Sequence, residues 1–261
     1  MVKNNAAQED PAEILGKKIF FIHPSMFVQN EIINQLIQQE YEVYVARDEE
    51  KLQRALKKFP HSIVLASIDE TLSANKWEEW IRQLMTDKDS GASVGVLSNT
   101  NNDEARRTYL NKLKVPCGFV PLKVEKTKTL QVLLDILTFA KAKGRRKYIR
   151  ADTRKDAMAT INIPRDNAYL TGDIRDISAV GVSCVFPPDV ELEKNSLLPD
   201  IQLKLQGSLL KVEGIVFGFR MEEANRVYVF LFTPKTDPLV RTKIRAYIQK
   251  NLQSKMDADL K

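Results

Sequence analysis

Apolar positions along the first half of the chain switch between two periods in a repeating order. "KKIFFIH" (17–23) is a short run of β-branched and aromatic residues, and "FVQNEIINQLIQQ" (27–39) then sets Phe27, Val28, Ile32, Ile33, Leu36 and Ile37 on one helical face. Strand followed by helix is the prediction. The alternation continues through "YEVYVA", "EEKLQRALKKF", "SIVLASI", "KWEEWIRQLM", "ASVGVLS", "NDEARRTYLNKL" and "CGFVPL", and closes with a long helix from about Lys126 to Lys143. Strands alternating with helices in this way predict a doubly wound α/β domain, a parallel sheet covered on both faces, over residues 14–143.

After residue 155 the helical period disappears. "AMATINI", "AYLTGDI", "GVSCVF", "DIQLKLQ", "LLKVEGIVFGF" and "RVYVFLF" are short alternating runs separated by Pro, Gly, Asn and Asp. They predict a six-stranded antiparallel β-barrel, with "VYVFLF" apolar enough for a strand covered on both sides. "PLVRTKIRAYIQKNLQ" then sets Val240, Ile244, Tyr247 and Ile248 as a helix stripe, a closing helix packed on the barrel. The second domain is expected over 144–252.

Composition narrows the class only modestly. A 261-residue chain with 43% hydrophobic and 28% charged residues is globular, and about two domains fit its length. The polar, acidic start and the lack of a long apolar run predict a cytoplasmic protein with no membrane insertion. Cys117 and Cys184 lie far apart in apolar runs, as buried free thiols do, and no metal-ligand spacing is present. The net charge of +6 is a mild excess, but it is concentrated: Lys141, Lys143, Arg145, Arg146, Lys147, Arg150, Arg154 and Lys155 flank the junction of the two textures.

The first half resembles the receiver domain of two-component response regulators, a flavodoxin-like fold. Receivers hold Mg²⁺ with an acidic pair after the first strand, where this chain has His23 and Pro24. At the phosphoacceptor position after the third strand it has Ser67, with Asp69 two residues on; the family's lysine aligns with Leu122, beside Lys123. Ser98, the hydroxyl after strand four, is the one match. A degenerate receiver-like domain without aspartyl phosphorylation is the expectation, its work being contact or regulation.

Two short motifs carry the candidate chemistry. "KGRRKYIRAD" (143–152) holds Arg146-x-x-x-Arg150, preceded by Arg145, and "DIRDISAVGVSC" (173–184) holds Asp176-x-Ser178-x-x-Gly181. Taken singly, the first reads as a solvated linker and the second as a hairpin turn. In order, at the entry to a barrel and within its early strands, they resemble the signature of the PilZ domain, R-x-x-x-R followed by [DN]-x-S-x-x-G, whose members bind cyclic di-GMP. The ligand chemistry agrees. Cyclic di-GMP is a double anion with two guanines, and guanidinium groups both pair with phosphate and bond bidentately to guanine O6 and N7. Asp176 can accept from guanine N1 and N2, Ser178 can complete the polar edge, and Gly181 is expected to keep the surface open. Arg145 precedes the motif; the resemblance implies that such an extra arginine helps to hold a second, stacked ligand. Tyr148 is expected to pack on the barrel.

Enzyme chemistry has little support in the sequence. His23 and His61 border strands without a nucleophile or ligand cluster, no Gly-rich phosphate loop occurs, and Trp77 and Trp80 read as a packed helix face. The expectation is a non-catalytic cyclic di-GMP receptor without a cofactor. Its lead-in segment 144–152, continuing the last helix of the first domain, would order on the ligand, reorient the two domains and change binding to a downstream protein partner; motility, adhesion and virulence control are what the resemblance implies. The alternatives are nucleic-acid binding through the 141–155 cations, with steep salt dependence, and a PilZ-fold protein adaptor.

Overall fold

The structure, a computed structural model, describes residues 15–69, 71–100, 102–123, 125–165 and 168–260. The acidic start and the expected boundary at residue 14 lie outside them. Two compact units are present, residues 1–147 with 256–261, and residues 148–255.

The first unit is the expected doubly wound sheet. Strands β1 (Ile19–Ile22), β2 (Val43–Ala46), β3 (Ile63–Ser67), β4 (Ser93–Ser98) and β5 (Phe119–Pro121) pair in parallel in the order β2-β1-β3-β4-β5. This flavodoxin-like order places loops that could carry a ligand at the carboxyl ends of the strands. Both faces are covered: Ile19, Phe21, Ile63 and Leu65 meet one helix layer, and Phe20, Ile22, Val64 and Ala66 are buried on the other side. Helix α1 runs from Val28–Ile33, wound in wide π-type turns, into Asn34–Gln38. The wide turns shift its face, so Val28, Ile32, Ile33 and Leu36 are buried while Phe27, expected on the same stripe, is exposed.

Helices α2 (Glu49–Lys58) and α3 (Ala74–Thr86) follow, then α4 (Asp103–Arg107, passing into Thr108–Lys112) and α5 (Lys126–Phe139). Asp48 caps α2 by accepting from Lys51 N at 2.8 Å, with Glu49 and Glu50 in its first turn and Lys57 and Lys58 in its last, matching the helix dipole. Trp77 and Trp80 form a packed face, their rings edge to face at 5.6 Å. Helix α5 does not reach Lys143 as expected. It stops at Phe139 because Lys141 adopts φ 50°, Lys141 N bonds Thr138 O, and Ala142 N bonds Leu137 O. This is a Schellman stop with lysine in the left-handed position usually held by glycine. The 144–152 segment therefore does not continue a helix.

In the second unit six strands close into an antiparallel barrel: β7 (Thr160–Arg165), β8 (Ala168–Ser178), β9 (Gly181–Val185), β10 (Leu197–Leu205), β11 (Ser208–Glu222) and β12 (Asn225–Phe232), in the order β8-β7-β10-β11-β12-β9 and back to β8. Closure leaves the barrel without an open edge. A further short strand, β6 (Arg150–Asp152), pairs with the end of β8. Alternate residues fill the interior, among them Ile161, Ile163, Ile174, Ile177, Leu203, Val216, Tyr228 and Phe230. Helix α6 (Pro238–Asp259) adds Ile244, Tyr247 and Ile248 to this core. In β12 the expectation of cover on both sides is corrected: Phe230 is buried, but Leu231 is 42% exposed, because its row lies on the outer wall of the barrel. Cys117 and Cys184 are buried free thiols, one in each unit. Among the described residues no helix is long and apolar enough to cross a membrane.

Candidate functional site

Arg150, the last residue of the first motif, meets the start of the second on the wall of the barrel. Strand β8 is paired with β7 along its first half; where β7 leaves, β6 takes over that edge, setting Arg150 opposite Ser178 and Asp152 opposite Asp176. On its other edge β9 sets Ser183 opposite Asp176 and Gly181 opposite Ser178. The register slips between Ile174 and Asp176, a bulge at Arg175, so Ile174 and Ile177 both face the core while Asp176 turns outward.

Asp176 is the centre of the arrangement. Arg150 Nη1 stands 3.5 Å from its Oδ1, and Arg220 Nη2, from β11, stands 3.9 Å from its Oδ2. Ser183 Oγ donates to the same Oδ2. Arg220 is in turn held by Glu222 Oε1, 2.8 Å from both its Nε and its Nη2. Beside this group Arg154 grips Asp152 through Nε at 3.0 Å and Nη2 at 2.6 Å, and Lys255 Nζ lies 3.5 Å from Asp152. The bond from Arg154, helped by Lys255, holds the Asp152 carboxyl well below the usual carboxylate range. Behind the wall, burial and then the charge of Asp176 push the Cys184 thiol upward, so it stays protonated and inert.

Ser178 and Gly181 are placed differently from Asp176. Ser178 is buried; its hydroxyl donates to Gly181 O at 3.2 Å and accepts from Val180 N at 3.4 Å, stapling the turn between β8 and β9. Helix α6 adds a clasp, Arg241 donating to Ala179 O at 3.1 Å and to Thr233 O at 2.8 Å. Gly181 does not keep an open surface, as expected from sequence. A Cβ there would lie 2.5 Å from Phe230 O, so glycine is required by the close approach of β12.

Arg145 and Arg146 are exposed in the segment before β6, and Arg150 is already fixed in strand pairing. Ile149 packs on the barrel core, while Tyr148, expected to do so, is half-buried outside that cluster. Sequence reasoning missed Arg220, Glu222 and Ser183. Only Ser183, two residues beyond Gly181, lay close enough to the motif to be found. Arg220 reaches Asp176 through the register β11–β12–β9–β8.

The carboxyl ends of the sheet strands in the first unit have a different character. Asp69 accepts from Ser98 Oγ at 2.6 Å and from Asn99 N, and Ser98 Oγ lies 2.9 Å from Thr100 Oγ1. His23, at φ 49°, bonds Glu49 at 2.9 Å and sets its ring edge to face with Trp77. Ser67 ends β3 and is buried.

Residues 144–250 match the model of the PilZ domain family, so the barrel and its lead-in constitute a PilZ domain, joined here to an α/β unit of receiver-like fold. Similar solved structures include the PilZ domain with c-di-GMP of YcgR from Escherichia coli, 15% identical, covering 44% of this chain and 97% of that one with a TM-score of 0.38. The chemotaxis response regulator CheY4 of Vibrio cholerae is 14% identical, covering 47% of this chain and 99% of that one, also at 0.38. A longer YcgR chain in complex with c-di-GMP is 16% identical at a TM-score of 0.37, with 45% of this chain and 50% of that one covered. The match thus spans about half the length of that longer chain. No curated protein matches the sequence.

Proposed function

We propose that the chain is a non-catalytic receptor for cyclic di-GMP, bound on the outer wall of the barrel by Arg145, Arg146, Arg150, Asp176 and the hairpin that Ser178 and Gly181 shape. The PilZ match over 144–250 supports the ligand class. The observation that carries the reading is the 3.5 Å approach of Arg150 to Asp176, which joins two motifs far apart in sequence into one polar cluster. A carboxylate flanked by guanidiniums offers acceptors for guanine N1 and N2 beside donors for phosphate and base oxygens. Asp176 orients the base, Arg150 and Arg146 neutralise phosphate, and Arg145 reaches the ligand or a second stacked copy.

Arg150 is pre-docked by β6, so binding orders chiefly the residues just before it within the 144–152 lead-in. Because these residues join the two units, their capture redirects the chain between them and alters the surface offered to a downstream protein partner. The nucleic-acid alternative loses ground from particular contacts. Arg150 and Arg154 face carboxylates within 4 Å, at Asp176 and Asp152, and Lys143 Nζ sits 4.5 Å above the Tyr41 ring. The basic cluster is thus interspersed with carboxylates rather than a uniform cationic face.

Isothermal titration tests the receptor reading. Cyclic di-GMP should bind saturably, with GTP and cyclic di-AMP as weak or silent controls. A folded chain that gives no heat with cyclic di-GMP overturns the reading. Small-angle scattering with and without saturating ligand tests the domain step, which predicts a changed profile.

A further inference from the structure

Arg220 lies in neither motif, yet it completes the surroundings of Asp176. Each oxygen of that carboxylate faces its own guanidinium, Oδ1 toward Arg150 at 3.5 Å and Oδ2 toward Arg220 at 3.9 Å. The two arginines come from opposite directions, one from the lead-in strand β6 and the other from β11. Glu222 holds Arg220 through Nε and Nη2, both at 2.8 Å, which fixes the plane of the guanidinium at a half-exposed position. A guanidinium has five N–H donors, so this grip leaves donors that can serve a third acceptor. One strand row runs from Asp176 through Ser183 and Val229 to Gly218, and open space stands where a Cβ of Gly218 would be. A planar base lying along that row meets no side chain at Gly218.

We propose that Arg220 is the residue that selects guanine over adenine in this site, an inference that rests on the receptor reading above. Guanine presents the N2 and N1 donors followed by the O6 acceptor, whereas adenine presents an N6 donor in place of O6. A carboxylate with a guanidinium at one end is the complement of the guanine order. Adenine would bring its amino group against the cation. The orientation follows from charge. The lead-in cations run up to Arg150 along the chain, so the ribose and phosphate end of the nucleotide, next to N2, is assigned to the Arg150 side and O6 to Arg220. Glu222 is a positioning residue that keeps the guanidinium aimed at O6.

The test is titration of the full chain and of Arg220→Ala, Arg220→Lys, Glu222→Gln and Arg146→Ala/Arg150→Ala with cyclic di-GMP and cyclic di-AMP, alongside thermal melting without ligand. Losing one charge-assisted bond per base should weaken cyclic di-GMP binding by about tenfold or more in Arg220→Ala. Its affinity should fall toward that for cyclic di-AMP, with the melting temperature unchanged. Arg220→Lys, which keeps the charge but not the planar fork, should retain only part of the selectivity. Glu222→Gln should lose less than Arg220→Ala. Wild-type affinity and selectivity in Arg220→Ala, while Arg146→Ala/Arg150→Ala loses binding, overturns the proposal and leaves the receptor reading standing. Equal weakening toward both dinucleotides also overturns it, reducing Arg220 to a general cation. Absence of any binding by the wild type removes both readings together.

Discussion

Asp69 and Asp176 each accept a hydrogen bond from a serine hydroxyl on a β-strand, Ser98 and Ser183, yet their surroundings differ. Asp69 spends its oxygens on Ser98 Oγ and Asn99 N, fastening the loop after β4 to the loop after β3. Asp176 has one serine donor, Ser183, and otherwise faces two arginines at 3.5 and 3.9 Å, beyond ideal bonding distance. A carboxylate closed by its own chain has little left for a ligand. One held loosely between exposed cations can exchange those partners for a ligand that offers donors to the acid and phosphates to the arginines. The receiver-like unit thus uses Asp69 to fasten a loop, whereas on the proposed reading the barrel offers Asp176 to the ligand.

Breaking the open site should produce the largest effect. Arg146→Ala/Arg150→Ala removes two charge-assisted contacts of roughly 1.5–3 kcal/mol each, so titration should show at least a hundredfold loss for cyclic di-GMP. Gly181→Ala probes the scaffold instead. With its Cβ 2.5 Å from Phe230 O, the barrel must shift, and denaturant midpoints should report a loss of about 2–3 kcal/mol. Asp176→Asn should weaken cyclic di-GMP by about 2 kcal/mol while leaving the fold intact, whereas Asp69→Asn should leave ligand affinity unchanged.

Smaller effects belong to the first unit. Burial pushes the Cys117 thiol up to about 11 from an unfolded value near 9. Between those values the unfolded chain has lost the proton and the folded chain keeps it. Stability contributed by the neutral thiol is therefore present below pH 9 and falls as pH rises through this window, by about 1 kcal/mol at pH 10. Cys117→Ser should flatten that fall in denaturation curves measured across the window. Asp69→Ala should cost about 1 kcal/mol for the lost bonds to the β4 loop, read as a small drop in melting temperature without change in dinucleotide affinity.

Much of this architecture was legible because apolar periodicity and core burial coincide. The five parallel strands and all six barrel strands fall where the alternation predicted them, and Ile244, Tyr247 and Ile248 form the buried helix stripe. Legibility failed where conformation departed from local residue preference. Lys141 ends α5 in a conformation usually reserved for glycine, and the wide turns at Val28–Ile33 rotate Phe27 to solvent. At the site, the two motifs identify Arg150 and Asp176, but Arg220 joins them only through the register of four strands that are not all consecutive in sequence. Gly181 was visible as a required residue, yet its reason, the carbonyl of Phe230, lies on a strand dozens of positions away.

Amide hydrogen exchange across the whole chain, with and without saturating cyclic di-GMP, tests the contrast between the two acids most directly. The account predicts new protection in residues 145–150, in the hairpin of β8 and β9 and around Arg220, with the Asp69 and Ser98 loops unchanged. Protection centred on the loops after β3 and β4, with the barrel hairpin unaffected, would contradict it.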